Sequence, residues 1–469
     1  MPSPDRPGKL VADSIHGAIH LTNKEWGVVN TASFQRLRRI KQLGMGHFTY
    51  PNATHTRFAH CLGVFGIMVK VLKAVEVTKH LPRETSDNFR LAALLHDVGH
   101  YPYSHVMETL DKVQLTEDFF KTKKAKTVDL ATVGYPGHEE IGRLIVTNQR
   151  DLIDAIGSKG RANDIADIFT RTKAADPQLS KLIHSSLDMD RFDYLLRDSR
   201  AAGVPYGSID IEYLLNNVKF DAATGAVGVS GKALPAAEQF LLARYFMHRA
   251  VYYHKTTVAM EETCRQLLRR LRNKKNYNIP KDGVAVKNWV TSARLGDFTD
   301  AFVDDVMQQA MADRDEDIQA LARAFNYRRP PKLLKEVAIL TEKKDQPHAG
   351  TVFTMNCRQQ LKDLGNKKGI SPARFLFWAP KPFTFEERGR DFPAEEVQRI
   401  RNGEEILRGE ESIKVFVGGG QKAIMDIDDS IMRFCAGQYF CLFRLYVLEE
   451  NAALVSELRR KVSSWDKGE

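Results

Sequence analysis

The chain has 469 residues, of which 43% are hydrophobic and 27% charged, and these proportions are typical of a soluble globular protein with more than one lobe. We expect neither a membrane-spanning nor a secreted protein, because no apolar run reaches the roughly 18 residues of a membrane span and MPSPDRPGKL has no apolar signal segment. The net charge of +10 fits a polyanionic partner such as a nucleotide or nucleic acid, although solvated lysine faces would give the same value. We therefore expect a cytoplasmic protein with no membrane partner, and the five scattered cysteines, without a CxxC pair, predict reduced thiols.

The first predicted elements are a β-hairpin and a basic helix. The stretch VADSIHGAIHL predicts a hairpin that turns at 15–17, and TASFQRLRRIKQL predicts a helix over 31–43 that Thr31 caps and Gly44 ends. This helix has one apolar face and one basic face. The basic face is either a solvated surface or a phosphate-binding surface, and the sequence leaves both readings open.

Histidine is concentrated in the part of the chain that follows. Seven of the 14 histidines lie between His55 and His138, and histidine is both the commonest metal ligand among side chains and a natural acid–base group. Residues 55–79 predict a buried helix on which Arg57 and His60 face one cavity.

The stretch LAALLHDVGHYPYSH, residues 91–105, is the most informative part of the sequence. His96 and Asp97 end an apolar helix, and burying this pair without partners would be strongly unfavourable. His100 is placed on the same helical face, four residues after His96. The pattern therefore predicts a metal site or a tight polar network, and the competing interpretation is a capped helix end with ordinary core histidines.

Further helices are predicted after this stretch. Ser104 is expected to cap a short helix that carries His105. Beyond a polar connection, the later predicted elements are a helix opened by Gly137-His138-Glu139, a helix at 184–200 and one long helix at 236–271. In the 184–200 helix, four polar side chains fall along one side: Asp190, Tyr194, Arg197 and Asp198. They form either a ligand wall, meaning one side of a binding site, or a salt-bridged surface.

The composition changes near residue 276, where we place a domain boundary. Proline and loops become more frequent, and the predicted elements are an acidic helix at 297–317 and strands at 350–356 and 413–425. The glycines at 418–420 predict a hairpin turn, since neither a helix nor a lysine-serine pair follows them.

The polar residues of the helical part form a set suited to a catalytic metal. Two imidazoles and two carboxylates, which leave coordination positions open, are supplied by His60, His96, Asp97 and Asp190. The expected cofactor is a divalent cation, namely Mn, Fe, Mg, Zn or Ni. Beside it, His100, His105 and His138 would be protonated donors to phosphate oxygens or to a leaving group. This combination is suited to the hydrolysis of phosphoester or phosphoanhydride bonds.

At these residues the chain resembles the HD-domain phosphohydrolases, and more narrowly the deoxynucleoside triphosphate (dNTP) triphosphohydrolases. The stretches that carry the resemblance are FQRLRRIKQLG (34–44), HTRFAHCLGV (55–64), HDVGHYPYSH (96–105), GHEE (137–140) and DMDRFDYLLRD (188–198). It implies a mainly α fold, with an HD helical core at 1–275 and a smaller α+β lobe at 276–469 for oligomerisation and regulation. It also implies hydrolysis of dNTPs to deoxynucleoside and inorganic triphosphate.

The resemblance further implies a role for each matching residue. Gln42 would contact the 3′-hydroxyl, Leu43 would exclude a ribose 2′-hydroxyl, and His105 would protonate the departing 5′-oxygen. The triphosphate would be held by Arg57, His100, His138, Arg191 and Arg244, and the sugar by Tyr194, Asp198 and Tyr252.

Members of this family commonly form homotetramers with nucleotide activator sites between subunits. The corresponding residues here are Gln35, Arg38, Arg328 and Lys332. The residues that read a guanine activator are replaced by Asn30 and Ala12, and Pro330 replaces an aliphatic residue. We therefore expect a nucleotide activator that is a deoxynucleotide other than, or not only, a guanine one.

Two other functions remain open at this point. An HD hydrolase could act on an alarmone, a cyclic dinucleotide or the end of a single-stranded nucleic acid, although Val98-Gly99-His100 lacks the acidic pair of the alarmone hydrolases. Alternatively, the basic faces could serve a non-catalytic nucleic-acid-binding protein. The filled set of metal positions favours an enzyme.

Overall fold

The structure is a computed structural model. It describes residues 8–79, 81–110, 134–170, 182–183, 187–221, 226–342, 360–361, 363–380, 382–385, 412–436 and 438–463.

The fold is mainly α-helical, as predicted. In chain order the α-helices are α1 (Asn23–Val29), α2 (Ala32–Gln35), α3 (Arg57–Lys79), α4 (Arg83–Leu95), α5 (His105–Glu108), α6 (His138–Asn148), α7 (Arg150–Ile156), α8 (Lys159–Thr170), α9 (Met189–Ala202), α10 (Ile211–Asn216), α11 (Leu234–Met247), α12 (Lys255–Leu271), α13 (Gly283–Thr291), α14 (Asp300–Ala310), α15 (Glu316–Asn326) and α16 (Ala452–Ser463). A π-helical turn, His248–Tyr252, separates α11 from α12. Turns of 3₁₀ helix lie at Arg36–Arg39, Gly46–Phe48, Pro205–Gly207, Gly231–Ala233, Ala293–Asp297, Pro372–Arg374, Ile424–Asp426 and Ile431–Cys435.

Among the described residues, three small sheets accompany the helices. The strands are β1 (Lys9–Asp13), β2 (Gly17–Leu21), β3 (Val218–Phe220), β4 (Val227–Ser230), β5 (Lys332–Glu342), β6 (Phe375–Trp378), β7 (Phe383–Thr384), β8 (Lys414–Val417), β9 (Gly420–Ala423) and β10 (Gln438–Val447). They pair as the hairpin β1-β2, as β5-β10-β6 with β7 beside β10, and as β3-β4-β8-β9. The predicted hairpins at 15–17 and 418–420 are confirmed, and Gly418 and Gly419 adopt the positive φ of such a turn.

The predicted helix over 31–43 is wrong beyond residue 39. α2 is followed by a 3₁₀ turn, and Ile40 is extended, with φ −125° and ψ 115°. The reason is tertiary pairing: the amide of Arg57 donates to the Ile40 carbonyl at 2.9 Å and the amide of Gln42 donates to the His55 carbonyl at 2.9 Å. These hydrogen bonds between two segments of the chain replace the i to i−4 bonds that a continued helix would have made. The same pairing delays the start of α3 to Arg57.

The single helix predicted at 236–271 is also wrong, because the π-helical turn interrupts it. The interruption leaves backbone carbonyls for the C-terminal lobe: the guanidinium of Arg444 donates to the Tyr253 carbonyl, and the Tyr446 hydroxyl donates to the Lys255 carbonyl at 3.1 Å. Likewise the acidic stretch at 297–317 holds all of α14 and the first two residues of α15 rather than one helix.

The other helix predictions hold with shifted ends. α9 begins at Met189, where the side chain of Asp188 accepts the amide of Arg191 at 2.8 Å, and runs to Ala202. The predicted strand at 350–356 and most of the connection at 111–136 lie outside the described residues.

The main apolar core is built from the helices and continues past the predicted boundary, through residues such as Phe298 and Phe325. A second cluster packs the sheet of β5, β10 and β6 against α16. The division at 275/276 stays a prediction. Each cysteine in the described part of the chain is free, and none of the described helices has the length and apolar character that crossing a membrane requires.

Candidate active site

Three helices bring the four predicted metal ligands together. His60 lies one turn into α3 and is fully buried, and His96 and Asp97 directly follow the apolar end of α4. Asp190 lies in the first turn of α9, with its side chain 34% exposed. The ligand atoms of His60, His96 and Asp97 lie within 4.8 Å of one another.

The spacing of these atoms fits a shared cation. Nε2 of His60 lies 2.8 Å from Oδ1 of Asp190 and 3.5 Å from Oδ2 of Asp97. Nε2 of His96 lies 3.5 Å from Oδ1 of Asp97 and 3.7 Å from Oδ1 of Asp190. Both Nε2 atoms are buried and make no hydrogen bond. Two imidazole nitrogens without hydrogen bonds, facing two carboxylates, form a donor set that a divalent metal satisfies.

The electrostatics of the site favour a cation. Burial would raise the pKa of Asp97, but His100, His96 and Arg57 hold it well below its usual range. The pKa of Asp190 is also low, because the nearby imidazoles outweigh burial. Burial would lower the pKa of His60, but the carboxylates around it raise this pKa to about 10. Both carboxylates are therefore ionised, and a proton on His60 competes with a metal for the same place.

The residues after the His-Asp pair do not continue the helix. They form a turn whose backbone packs directly against the backbone at His138. A Cβ atom at Gly99 would lie 2.1 Å from the carbonyl oxygen of His138, so only glycine fits there. The buried guanidinium of Arg36 donates to the carbonyls of Val98 and His100 at 2.6 and 3.0 Å. The prediction that His100 continues the helical face of His96 is therefore wrong, because α4 ends at Leu95.

A second cluster of three histidines lies beside the first. His100 stacks on His138 with ring centroids 4.2 Å apart, and the nitrogens of His100, His105 and His138 lie within 4.8 Å of one another. Glu108 joins two of them, because its carboxylate lies 2.8 Å from Nδ1 of His105 and 3.1 Å from Nδ1 of His138. Sequence reasoning missed Glu108, although its position three residues after His105 in a short helix was the available signal.

The prediction that all three histidines are protonated is wrong for His100. Burial, together with the charge of Arg57, holds the pKa of His100 well below its usual range, so this ring is neutral. Burial also acts on His138, but the hydrogen bond and charge of Glu108 outweigh it and raise the pKa of His138. His100 can therefore donate one N–H at most, whereas His138 stays protonated to a higher pH than an unperturbed histidine would.

The backbone that carries His105 is strained. Tyr103 and Ser104 both have a φ of 51°, which costs about 1–3 kcal/mol for each residue. Two bonds hold this turn: Asp300 accepts the amide of Tyr103 at 2.7 Å, and the Ser104 hydroxyl donates to the Lys41 carbonyl at 3.0 Å. Ser104 does precede α5, as predicted, but its side chain makes no capping bond to that helix.

A polar wall is formed around Asp198 by His55 and two tyrosines. The hydroxyl of Tyr252 donates to Oδ2 of Asp198 at 2.9 Å, and Nε2 of His55 lies 2.7 Å from Oδ1 of the same carboxylate. The rings of Tyr194 and Tyr252 meet edge to face at 6.1 Å. Gln42 keeps its side-chain oxygen buried and without a hydrogen bond. Sequence reasoning missed His55, which orients Asp198.

The predicted phosphate-binding arginines are all buried near these groups. Arg57 pairs with Asp97 at 2.5 Å and also donates to the Ser104 hydroxyl at 3.1 Å. Arg191 and Arg244 are each 8% exposed, and both charges act on the phenol of Tyr194. Arg197, which the pattern placed on the ligand wall, instead pairs with Asp13 at 2.9 Å.

The predicted activator residues lie away from this site. Arg38 donates to the side chain of Gln35 at 2.7 Å, and its guanidinium lies 3.6 Å from the ring centroid of Phe58. Arg328 has a positive φ and donates to the Phe48 carbonyl at 2.6 Å, while Lys332 opens β5 and is exposed.

Comparison with known families agrees with this geometry. The family profile of the HD domain matches residues 57–198, and that of the HD associated region matches residues 209–282. The first match spans all four candidate metal ligands, and the second spans the π-helical turn.

Relatives cover about half of the chain. It is 39% identical over 272 residues to the human deoxynucleoside triphosphate triphosphohydrolase SAMHD1, which covers 53% of this chain and 42% of the human protein. It is 32% identical over 273 residues to an uncharacterized protein of Methanocaldococcus jannaschii, over 58% of this chain and 51% of that one. The chain thus spans about half the length of the curated relatives it matches.

The fold is shared more completely. The crystal structure of a phosphohydrolase from Bacteroides thetaiotaomicron superposes with a TM-score of 0.66 and covers 93% of this chain and 99% of that one. At 21% sequence identity this likeness shows the fold alone.

Proposed function

Because the chain belongs to the HD-domain phosphohydrolases, we propose that it is a metal-dependent dNTP triphosphohydrolase, which releases deoxynucleoside and inorganic triphosphate. One observation supports this most directly: the candidate metal ligands adjoin both the histidine cluster and the tyrosine–aspartate wall. Nε2 of His100 lies 3.1 Å from Oδ1 of Asp97, and the charge of Asp190 acts on the phenol of Tyr252. If the histidines bind the triphosphate and the wall binds the deoxyribose, the bond between these two parts, at the α-phosphorus, would come close to the residues that would hold the metal.

The chemistry is divided between the metal and the side chains. A divalent cation held by His60, His96, Asp97 and Asp190 would polarise a phosphoryl oxygen and activate water. Protonated His138 and the buried arginines would bind the phosphate oxygens. His105 has a side chain that is 63% exposed, and its Nδ1 faces Glu108, which leaves Nε2 free to give a proton to the departing 5′-oxygen.

Selection of the sugar would follow from the polar wall. Gln42 and Asp198 would bond the 3′-hydroxyl, and Leu43 together with Tyr252 would leave no room for a 2′-hydroxyl. Asp198 is already oriented by His55 and Tyr252, so it offers little freedom to adapt to a ribose. A site that would leave buried polar groups unpaired can discriminate by several kcal/mol.

The test is a panel of the four dNTPs and four ribonucleotides, singly and in mixtures, with Mn²⁺ and Mg²⁺, followed by chromatography of the products. We expect deoxynucleoside and intact triphosphate, with ribonucleotides turned over at least about 100-fold more slowly. Phosphate detection alone would miss the reaction, because triphosphate leaves intact. Equal turnover of GTP and dGTP would refute the sugar selection, and dNMP with pyrophosphate would refute the orientation of the triphosphate.

The pH dependence should reveal the role of Glu108. Because this carboxylate raises the pKa of His138 above its usual value, removing its charge in Glu108→Gln should let burial lower that pKa. His138 would then lose its proton at a lower pH than in the wild type. We therefore expect the ratio of kcat/KM, variant over wild type, to fall as the pH rises from about 6 to about 8.

Glu140→Gln is the matched control, since Glu140 is exposed on the same helix as His138 and pairs with Lys287. The ratio of kcat/KM, Glu140→Gln over wild type, should be constant between about pH 6 and about pH 8. A constant ratio for Glu108→Gln as well would contradict the assignment of protonated His138 to phosphate binding.

We also propose activation by a deoxynucleotide bound between subunits of a cytoplasmic homotetramer. Arg328 and Lys332 are exposed cations near the start of β5, and Gln35 with Arg38 form an exposed pair on the segment that leads to Gln42. A triphosphate bridging two such groups would reduce charge repulsion between subunits.

The double variant Arg328→Ala, Lys332→Ala should lose activation by dNTP mixtures by at least about fivefold and should lose any dNTP-dependent assembly in sedimentation. Arg329→Ala is the control, because this neighbouring arginine pairs with Glu450 instead. Full activation and unchanged sedimentation in the double variant would leave the activator site without support.

A further inference from the structure

Asp193 is a fully buried carboxylate next to the candidate metal ligands, and all of its hydrogen-bonding capacity is used. Its Oδ2 lies 2.7 Å from Nδ1 of His60 and 2.8 Å from Nε of Arg197. Its Oδ1 lies 2.7 Å from Nε2 of His16 and 2.8 Å from the second guanidinium nitrogen of Arg197. Two N–H groups therefore point at each oxygen of the carboxylate, and together the four contacts fix its position and orientation.

The two imidazole ligands are supported in different ways. Nδ1 of His96 donates to the Ala93 carbonyl at 2.8 Å, a bond within its own helical turn. Nδ1 of His60 instead donates to Asp193. In both cases the bond at Nδ1 holds the ring so that Nε2 is aimed at the metal position. Only the support of His60 depends on residues distant in the chain.

The distant residues belong to the N-terminal hairpin. His16 lies in the turn between β1 and β2, and its side chain is only 5% exposed. Asp13 accepts the amides of Ile15 and His16, both at 2.9 Å, and its other oxygen accepts Arg197 at 2.9 Å. The hairpin turn thus contacts both members of an ion pair on α9: His16 contacts Asp193, and Asp13 contacts Arg197.

Helix α3 is shaped to admit this network. A Cβ atom at Gly63, three residues after His60, would lie 1.8 Å from Oδ1 of Asp193 and 2.5 Å from Arg197. The apolar attachment of the hairpin is separate, through Ile19 and Leu21, which are buried in the main core. The hairpin is therefore held on the protein by apolar contacts as well as by His16, and the contact of His16 with Asp193 also connects the hairpin to the support of His60.

We propose that Asp193 is a positioning residue for the metal ligand His60, and that the N-terminal hairpin, through His16, completes this support and sets how firmly the metal is retained. The inference rests on the proposed function only in that a divalent metal binds at His60. Residues that orient metal-ligating histidines typically change metal affinity by about 10–100-fold when they are replaced.

The experiment measures Mn²⁺ retention by the full-length protein. Wild type and variants are loaded with Mn²⁺, freed of excess metal, and mixed with a chelator while metal release is followed. We expect His16→Ala to release Mn²⁺ about tenfold faster, and Asp193→Asn faster still. His16→Gln, which keeps a donor for Asp193, should restore most of the retention.

The hairpin offers its own control. His20 lies four residues after His16 in the same hairpin but is exposed, so His20→Ala should retain Mn²⁺ like the wild type. Release rates are compared well below the melting temperature of each metal-free protein, so that the folding stability lost in His16→Ala, which removes one partner of a buried carboxylate, is separated from the loss of positioning. This comparison keeps the test valid even if Asp193→Asn does not fold.

The outcomes are distinct. Equal Mn²⁺ release by His16→Ala and His20→Ala would overturn the proposal, and so would a faster release that His16→Gln does not correct. A wild type that retains Mn²⁺ but hydrolyses no dNTP would refute the proposed substrate and leave the role of Asp193 to be decided by these release rates. A wild type that binds no Mn²⁺ would overturn both.

Discussion

Replacement of Asp97 by asparagine or alanine is expected to remove both the bound divalent metal and hydrolysis, with turnover lowered by at least about 1,000-fold. Asp97 is the ligand with the most partners at the site: Oδ1 lies 3.1 Å from Nε2 of His100 and 3.5 Å from that of His96, and Oδ2 pairs with Arg57 at 2.5 Å. Without its charge, the buried guanidinium of Arg57 stands next to the metal position and repels a cation.

Metal analysis and calorimetric binding of Mn²⁺ measure the first effect, and dNTP turnover measures the second. Asp97→Asn is the better variant, because it keeps the volume of the side chain. Asp198→Asn is the matched control on the other side of the site: it should retain the metal and lose sugar contacts, since Asp198 bonds His55 and Tyr252 instead of the metal ligands. Unchanged metal stoichiometry in Asp97→Asn would show that the ligand assignment is wrong.

The grouping of the candidate metal ligands could be predicted from sequence, and the reason is physical. A His-Asp pair at the end of an apolar helix has few stable solutions other than a metal or a dense polar network, so the residue types carry the information. The structure indeed brings His60, His96 and Asp97 within 4.8 Å. The partners that orient them were not accessible, because Asp193 and Glu108 lie in helices where a carboxylate is ordinarily a surface residue. Only the fold shows that these two are buried.

Local geometry was predictable only where local forces decide it. The β1-β2 turn follows from Asp13, which bonds the two amides after it, and this signal is local. The helix over 31–43 ends early because of pairing with residues 55–57, and the π-helical turn at His248–Tyr252 lies where the C-terminal lobe bonds the carbonyl of Tyr253. Helix propensity cannot anticipate either, since both depend on contacts between distant parts of the chain.

The last expected result concerns His105, whose replacement by alanine should lower kcat by about 100- to 10,000-fold and change KM by only a few-fold. The carboxylate of Glu108 lies 2.8 Å from its Nδ1, so the ring is held while Nε2 stays exposed to the site. A proton given to the leaving 5′-oxygen stabilises the transition state and contributes little to the bound ground state. His47→Ala is the matched control, because His47 is a half-buried histidine that bonds the Gly44 carbonyl at 3.2 Å and lies in another pocket.

A substrate with a better leaving group makes the test specific. In a dNTP whose 5′-bridging oxygen is replaced by sulfur, the leaving group needs no proton, so loss of a general acid should matter much less. We therefore expect the deficit of His105→Ala to shrink by at least about tenfold on the sulfur analogue. Glu108→Gln should show a smaller shrinkage in the same direction, because it loses the orientation of His105 but also the support of His138, whose loss the sulfur analogue does not relieve. If His105→Ala is equally impaired on both substrates, His105 acts by binding phosphate or by holding the strained turn at Tyr103–Ser104, and the proton must come from another group.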